Sequence, residues 1–253
     1  MPLMAAPLVL CYHAVSRHWP STLAVTPEQL SEQLAGLVDR GYRGVTFSEL
    51  VRGDGANRLA VTFDDGCRSV VERALPILEG LGLPGTIFVP TDFVGGPAPM
   101  SWPGIDHWTG TPHEDELRCV SWEQLRALRD QGWEIGSHTR SHPQLTELDD
   151  AALRRELVES LEQCSSELDT PCVSLAYPYG DQDERVRVAA GDAGYEAACT
   201  MRLGRPDPLG WPRVGVFPMD VPWRFRLKTS PLLRRLRALG LGRRMERSRH
   251  ERR

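Results

Sequence analysis

Short apolar runs alternate along the chain with longer stretches in which apolar residues recur every three or four positions. The short runs are typical of buried strands, and the longer stretches are typical of amphipathic helices. Strands are predicted at LVLCY (8–12), VTF (45–47), RLAVTF (58–63), GTIFV (85–89), WEIGS (133–137), CVSLAYP (172–178) and YEAACT (195–200). This α/β alternation predicts a distorted (β/α)7-type barrel in a single domain, with an open doubly wound sheet as the alternative.

Helix-starting signals separate these strands. Thr26 precedes Pro27, as at a helix whose first residue is proline, and Ser121 with Gln124 matches a capping box. The segment 90–120 is rich in Gly, Pro and Trp and is predicted to be a long functional loop. Helices are predicted at about 27–38, 121–129, 150–168 and 184–193, with a short one between 47 and 58. A further helix is predicted from about 68 to Gly80 or Gly82, with a kink at Pro76.

The composition is that of a globular protein. Hydrophobic residues make up 41% of the 253 positions and charged residues 25%, and no stretch reaches the ~20 apolar residues of a membrane span. No basic residue precedes the first apolar run, so a secretory signal is not expected. The six cysteines form no C-x-x-C pair, which favours reduced thiols and a cytoplasmic protein.

The net charge of −4 conceals an uneven distribution. Residues 224–253 hold twelve basic residues against two acidic ones, a net charge of +10, so residues 1–223 carry −14. Such an acidic body argues against a nucleic-acid-binding protein. We predict a catalytic domain over 1–223 and a basic tail over 224–253, partly helical or disordered. The tail resembles a basic amphipathic helix that would contact the inner face of a membrane, with a solvated loose end as the alternative; its apolar residues are Leu232, Leu233, Leu236, Leu239 and Leu241.

Two adjacent carboxylates, Asp64 and Asp65, follow the predicted strand RLAVTF. Like charges at this spacing repel unless a cation or a proton lies between them, so the pair indicates a metal site or a shared proton. An ordinary surface turn at Asp65-Gly66 is the alternative.

His138 and His142 follow the predicted strand WEIGS. Imidazoles four residues apart on one helical turn are able to bind one ion, and Asp65 is the available third ligand. A pair of solvated histidines before Pro143 is the alternative.

A third segment, Tyr177-Pro178-Tyr179-Gly180, follows the strand CVSLA. Its proline and glycine predict a tight turn whose backbone N–H groups face a ligand, although an ordinary loop has the same composition. Aromatic rings stack on sugars, which makes Tyr177, Tyr179, Trp102 and Trp211 candidate substrate contacts, with core packing as the alternative. Trp108 and Trp122 are further candidates, and core packing is favoured for Trp122.

Taken in this order, the three segments resemble the polysaccharide deacetylase family, carbohydrate esterase family 4 with its nodulation-type deacetylase domain. The similarity runs from about Leu8 to about Val216 and is carried by CYHAVS, VTFDDG, LPILEGLGLPGTIFV, GWEIGSHTRSHPQLTEL, AYPYG and GYEAACT. The resemblance implies a metal-dependent hydrolase that removes an acetyl group from an N-acetylated sugar.

The resemblance also implies residue roles. Asp65, His138 and His142 are expected to bind one divalent ion, zinc first, with cobalt, nickel or iron as alternatives. Asp64 is expected to be the general base, and the backbone N–H of Tyr179 is expected to stabilise the oxyanion.

Two departures from the family pattern lead to further assignments. The usual late Leu-His segment is absent, and Tyr12-His13 resembles the corresponding segment of a circularly permuted branch, so His13 is assigned as the general acid. A buried structural histidine is the alternative. Ala176 stands where an arginine usually pairs with the base, and Arg213 is expected to supply that charge unless it lies on the surface.

The resulting hypothesis is a cytoplasmic N-deacetylase acting on an oligosaccharide, a glycoside or a lipid-linked sugar. The alternatives are a non-catalytic carbohydrate-binding protein of the same fold and a deacetylase for an O-acetyl ester or a non-sugar amide. The oligomeric state is left open.

Overall fold

A computed structural model of the chain describes residues 6–202 and 204–238. The strands are β1 (Leu8–Tyr12), β2 (Ala14–Val15), β3 (Ala24–Val25), β4 (Arg43–Gly44), β5 (Arg58–Phe63), β6 (Gly85–Val89), β7 (Glu134–Ser137), β8 (Ser174–Ala176), β9 (Ala197–Thr200), β10 (Trp211–Pro212) and β11 (Val214–Gly215). The helices are α1 (Pro27–Val38), α2 (Phe47–Arg52), α3 (Leu75–Gly80), α4 (Trp122–Asp130), α5 (Asp150–Leu168), α6 (Glu184–Ala193), α7 (Pro222–Lys228) and α8 (Pro231–Ala238).

The main sheet closes into a barrel of parallel strands. Its order is β10-β9-β8-β7-β6-β5-β1-β11, and β10 and β11 are the two halves of one segment, 211–215. One half pairs with β9 through Trp211 and Cys199, and the other pairs with β1 through Val214 and Leu10. The barrel therefore has seven strand positions when β10 and β11 are counted as one. This confirms the predicted (β/α)7-type barrel.

The two faces of the strands have different partners. Side chains such as Leu10 and Val61 belong to the main core beneath the helices, whereas Val9 and Ala60, one position earlier, belong to a smaller cluster. This alternation follows from the two-residue period of a strand, so the smaller cluster fills the barrel interior. Phe47 of α2 packs in the same cluster and covers the amino ends of the strands.

The helix α2 replaces part of a predicted strand, so the prediction of a strand at 45–47 is wrong. Thr46 caps α2 in a capping box with Glu49, and the N–H groups of Phe47 and Ser48 donate to Thr86 and Glu134 at the amino ends of β6 and β7. The residues of the capping box are visible in the sequence. The burial of the Phe47 ring at the amino end of the barrel is shown only by the structure.

The other helix predictions hold. Thr26 and Ser121 both accept a hydrogen bond in capping boxes. A π-helical turn at Val70–Ala74 precedes α3, whose second residue is Pro76, as expected where proline lacks the N–H of a regular helix. The loop 90–120 is ordered by three short 3₁₀ turns.

The chain continues past the predicted domain boundary without a break in structure. The boundary between residues 223 and 224 falls inside α7, whose Phe225 is buried, so this helix packs as part of the body. Leu239 and Leu241 of the predicted tail helix lie outside the described residues. None of the helices in the described part of the chain is long and apolar enough to cross a bilayer.

Candidate active site

The residues singled out in the sequence meet at one edge of the barrel. Asp64 and Asp65 follow β5, His138 follows β7, and His13 follows β1. The carboxyl ends of parallel strands lie at the same end of a barrel, which is where barrel proteins place their chemistry. A cavity of about 300 Å³ opens there, and all four of these residues line it.

Two larger cavities lie elsewhere. One of about 450 Å³ separates α1 from α7, and one of about 420 Å³ lies at the amino end of β7. Within the described ranges, the clusters of His, Cys, Asp and Glu with metal-binding spacing both lie at the carboxyl edge instead. Chemistry, rather than cavity size, therefore selects the candidate site.

Asp65, His138 and His142 converge as predicted, although residues 138–142 form a loop with positive φ at Thr139 and His142 and not the expected helical turn. The Nε2 atoms of both histidines lie 3.4 Å from the same atom, Oδ1 of Asp65, and all three side chains are buried. Ligands about 2.1 Å from one tetrahedral ion lie roughly 3.4 Å from each other, so the spacing fits an ion between them. Two imidazoles and a carboxylate are the ligand types of a mononuclear zinc site, so the residues fit the metal that the family implies.

The two imidazole rings are held in different ways. His138 directs Nδ1 at the carbonyl oxygen of Ala176, 2.7 Å away, which leaves its Nε2 lone pair facing Asp65. The ring of His142 stacks on Trp102, with centroids 4.1 Å apart, and contacts the edge of Tyr179. Trp102 therefore fixes the orientation of the His142 ring.

The carboxylate and one imidazole of the cluster are in the charge states that bind a metal ion. Burial by itself would raise the pKa of Asp65, but the adjacent imidazoles of His138 and His142 hold it well below its ordinary value. Burial lowers the pKa of His142. Burial also lowers the pKa of His138, but Asp65 and Asp64 outweigh it and raise this pKa above its ordinary value, so an ion would compete with a proton for His138.

Backbone strain is concentrated at this site. Asp65, Thr139, His142 and Tyr179 have φ values of 68°, 64°, 63° and 60°, and they are four of the six non-glycine residues with positive φ in the described part of the chain. Each such residue costs on the order of 1 kcal/mol or more and persists where surrounding structure enforces it. The unfavourable backbone conformations are therefore found where the side chains of the candidate site are positioned.

Asp64 forms a buried bidentate pair with Arg213. The guanidinium donates to Oδ1 at 2.7 Å and to Oδ2 at 2.6 Å, and Thr62 accepts a further bond at 2.9 Å. Burial would raise the pKa of Asp64, but the charge and hydrogen bonds of Arg213 outweigh it and lower the pKa to about 2. Arg213 is only 2% exposed, so the surface alternative is wrong, and it supplies the charge that Ala176 cannot.

His13 is half-buried in the cavity wall. Its ring lies beside Asp64 and Cys11, whose ligand atoms are within 4.8 Å of one another and of the imidazole. Its Nδ1 is buried and has no hydrogen-bond partner among the residues that the structure describes, so backbone groups do not satisfy it. This placement leaves the imidazole available to a bound molecule; its role as general acid stays a prediction.

The aromatic candidates separate into two groups. Trp102 and Tyr179 line the cavity. Tyr177 is fully buried and its hydroxyl donates to the carbonyl of Leu209, so its prediction as a substrate contact is wrong. Trp211 is partly buried against the barrel-interior cluster and does not line the cavity; that prediction is also wrong. Trp122 packs against the main core, as favoured.

Several cavity residues were missed in the sequence. Met201 directly follows β9 and Phe217 closely follows β11, so the rule that chemistry gathers at strand ends was sufficient to find them. Thr22 and Leu23 come from the loop between β2 and β3 and carry no sequence signal. Cys11 was also missed; its Sγ donates to Asp64 Oδ2 at 3.4 Å.

Fold and site together define a (β/α) barrel protein that carries a buried Asp-His-His cluster and an arginine-paired aspartate at the carboxyl ends of its strands. The sequence profile of the family described as polysaccharide deacetylase matches residues 52–198, more than half of the chain. The chain therefore belongs to the polysaccharide deacetylase family. The circular permutation inferred from Tyr12-His13 stays a prediction.

Individual relatives are distant in sequence. YxkH of Bacillus subtilis (strain 168), whose name assigns it to the polysaccharide deacetylases, is 24% identical over 202 residues, covering 78% of this chain and 64% of that protein. The poly-beta-1,6-N-acetyl-D-glucosamine N-deacetylase of Escherichia coli (strain K12) is 24% identical over 134 residues, covering 46% of this chain and 18% of that protein. This chain thus spans less than two thirds of both relatives.

Solved structures share the fold over most of the chain. The Streptococcus pyogenes deacetylase PplD, in complex with acetate, superposes with a TM-score of 0.75 at 20% identity, covering 90% of this chain and all of that one. IcaB from Ammonifex degensii superposes with a TM-score of 0.72 at 24% identity, covering 89% and 98%.

Proposed function

We propose that this chain is a metal-dependent hydrolase that removes the acetyl group from an N-acetylated sugar. The observation that carries the proposal is the convergence of Asp65, His138 and His142 beside an aspartate that Arg213 holds ionised. A divalent ion bound there, zinc first, with cobalt, nickel or iron as alternatives, would polarise the acetyl carbonyl and acidify a water molecule.

Asp64 is the proton acceptor in this proposal. Arg213 donates one hydrogen bond to each carboxylate oxygen, and Cys11 donates a second to Oδ2, so Oδ1 retains a lone pair with which to accept a proton. The bidentate contact fixes the orientation of the carboxylate toward the cavity. Asp64 therefore takes a proton from water while the water oxygen adds to the acetyl carbon.

His13 and Tyr179 complete the reaction. As the amide C–N bond breaks, His13 donates a proton to the departing nitrogen, so that acetate and a free amine are released. The backbone N–H of Tyr179 hydrogen-bonds to no acceptor among the residues that the structure describes, and it is assigned to the negative oxygen that develops on the acetyl group.

The size of the cavity supports a single sugar unit as the bound group. Its volume of about 300 Å³ lies at the small end of ligand cavities. The name of the Escherichia coli relative supports an N-acetylhexosamine as the substrate class. An oligosaccharide, a glycoside or a lipid-linked sugar each presents such a unit.

Elemental analysis coupled to an acetate-release assay tests the proposal. Purified protein is expected to hold about one divalent ion per chain and to release acetate from members of a panel of N-acetylhexosamine compounds. A chelator should abolish release, and re-addition of zinc, cobalt, nickel or iron should restore it. Sugar binding without acetate release would favour a binding protein, and release only from an O-acetyl ester or a non-sugar amide would replace the substrate.

A further inference from the structure

Exposed apolar side chains cluster at the carboxyl-terminal helices. Seven large hydrophobic side chains are exposed in the described part of the chain, and five of them fall between residues 219 and 232: Met219, Val221, Trp223, Leu227 and Leu232. Trp223 and Leu232 are 68% and 66% exposed. A concentration of this kind marks an interaction surface rather than scattered surface residues. We call these five residues the apolar face.

The spacing of apolar residues along α7 places part of the apolar face on its outer side. Phe225 and Thr229 are buried against the body, whereas Trp223 and Leu227, which are also four residues apart, lie together on the outer side. Lys228 does not contribute to the surface charge, because it donates to the buried carboxylate of Asp220 at 2.5 Å. The helix is therefore anchored on one side and apolar on the other.

Basic residues accompany the apolar face. Arg224 and Arg226 of α7 form no ion pair with a carboxylate in the described ranges, although most arginines of the body do. The chain beyond residue 238 adds six more arginines against two glutamates, so the excess positive charge begins at this face. The rest of the chain, 1–223, carries −14.

We propose that the apolar face docks on the surface of an anionic lipid bilayer. A tryptophan and leucines flanked by unpaired arginines match the boundary between acyl chains and negative headgroups. The acidic body is repelled by the same membrane, so attraction at Arg224 and Arg226 and repulsion of residues 1–223 favour one orientation. The α8 helix is held to the body, since Arg234 donates to the carbonyls of Ala6 and Pro7, which gives the face a rigid support.

The apolar face extends along the side of the barrel. Met219 lies two residues after Phe217, which lines the cavity at the carboxyl ends of the strands, whereas Arg234 of α8 contacts Ala6 and Pro7 at the amino end of β1. The docked protein would therefore lie with the side of its barrel on the bilayer. Docking does not rest on the proposed function.

Vesicle sedimentation with the full-length protein tests the docking surface. We expect binding to phosphatidylcholine vesicles that contain about 30% phosphatidylglycerol, and little binding to phosphatidylcholine alone. Trp223→Gln and Leu227→Gln should each weaken binding about tenfold, and Arg226→Gln roughly fivefold. Val188→Gln on α6, where the valine is 53% exposed, and Arg155→Gln on α5 are matched controls that should bind as the parent protein does.

Three outcomes would overturn the proposal. The first is no binding to anionic vesicles. The second is binding that is abolished by salt but is unchanged in Trp223→Gln and Leu227→Gln. This result would assign the attraction to the basic residues after α8. The third is a dimer, measured by analytical ultracentrifugation without lipid, that Trp223→Gln dissociates; this would make the face a contact between two copies. Acetate release from a soluble substrate is unaffected by the Trp223→Gln substitution if docking and catalysis are separate.

Discussion

Replacing Arg213 tests how much its buried ion pair with Asp64 contributes to the free energy of unfolding. Arg213→Met removes the guanidinium but keeps much of its volume, and it leaves the carboxylate of Asp64 buried without its ionic partner. Asp64 has a pKa of about 2 in the folded protein against about 4 when unfolded. A difference of roughly two pKa units corresponds to about 2.5 kcal/mol of stability at neutral pH.

The expected loss is larger than that figure, because the carboxylate stays desolvated after its partner is gone. Removing one member of a buried ion pair typically costs about 3–5 kcal/mol. We therefore expect urea denaturation of metal-free protein at pH 7 to show a free energy of unfolding lower by about 3 kcal/mol or more. Arg202→Met is the matched control: Arg202 pairs with Asp181 at the surface and is 58% exposed, so its loss should cost about 1 kcal/mol at most.

The pH dependence gives the sign of the effect. Because the pKa of Asp64 is depressed in the folded state, its contribution is present above about pH 4 and is lost as the pH falls through about 2. The difference in stability between the parent protein and Arg213→Met should therefore be largest near neutrality and should shrink below about pH 4. The double variant Arg213→Met, Asp64→Asn, which buries no charge, should recover part of the loss. A difference under about 1 kcal/mol at pH 7, or a double variant less stable than Arg213→Met alone, would refute this reasoning.

Three further predictions concern catalysis and metal binding. Asp64→Asn should retain about one metal ion per chain while acetate release falls by roughly 10²-fold or more, because the proton acceptor is gone and the ligands remain; unchanged release would remove Asp64 as the base. His13→Ala should also lower turnover by about 10²-fold with the metal retained, whereas His18→Ala, an exposed neighbour, should not, and loss of the ion from His13→Ala would make this residue structural or a ligand. Trp102→Leu should weaken metal affinity by roughly tenfold in a chelator competition, because the ring stacked on His142 at 4.1 Å is lost. Trp223→Leu is its control, and equal affinities in the two variants would show that the stack does not orient the ligand.

Local signals were sufficient for most elements and for the cluster of Asp65, His138 and His142. The strands 8–12, 58–63 and 85–89 match the structure residue for residue, because each is a short apolar run bounded by turn residues. Asp65 and the two histidines were found because each follows such a run, and strand ends of parallel strands share one edge. The strand predicted at 45–47 failed because a capping box outweighed a short β-branched run.

The aromatic residues show where local signals end. Trp102, Tyr177, Tyr179 and Trp211 were equal candidates in the sequence, yet only Trp102 and Tyr179 reach the cavity. Trp102 lies in the loop 90–120 and Tyr179 in the turn after β8, whereas Tyr177 directly follows β8 and Trp211 lies in β10. An aromatic ring carries no local sign of which neighbour it meets. Tyr177 and Trp211 were therefore misassigned although their motifs were correctly placed.

The sequence by itself determined the α/β alternation, the succession of strands along the chain and the positions of the candidate ligands. These features depend on periodicity and turn chemistry, which act over a few neighbouring residues. Only the tertiary structure decided that the sheet closes, since closure depends on residues 211–215 pairing with β9 and β1 at once. It also joined Arg213 to Asp64, 149 residues away, and the low pKa of that carboxyl arises from this contact. Contacts of this range depend on the packing of the whole barrel, and no local pattern encodes them.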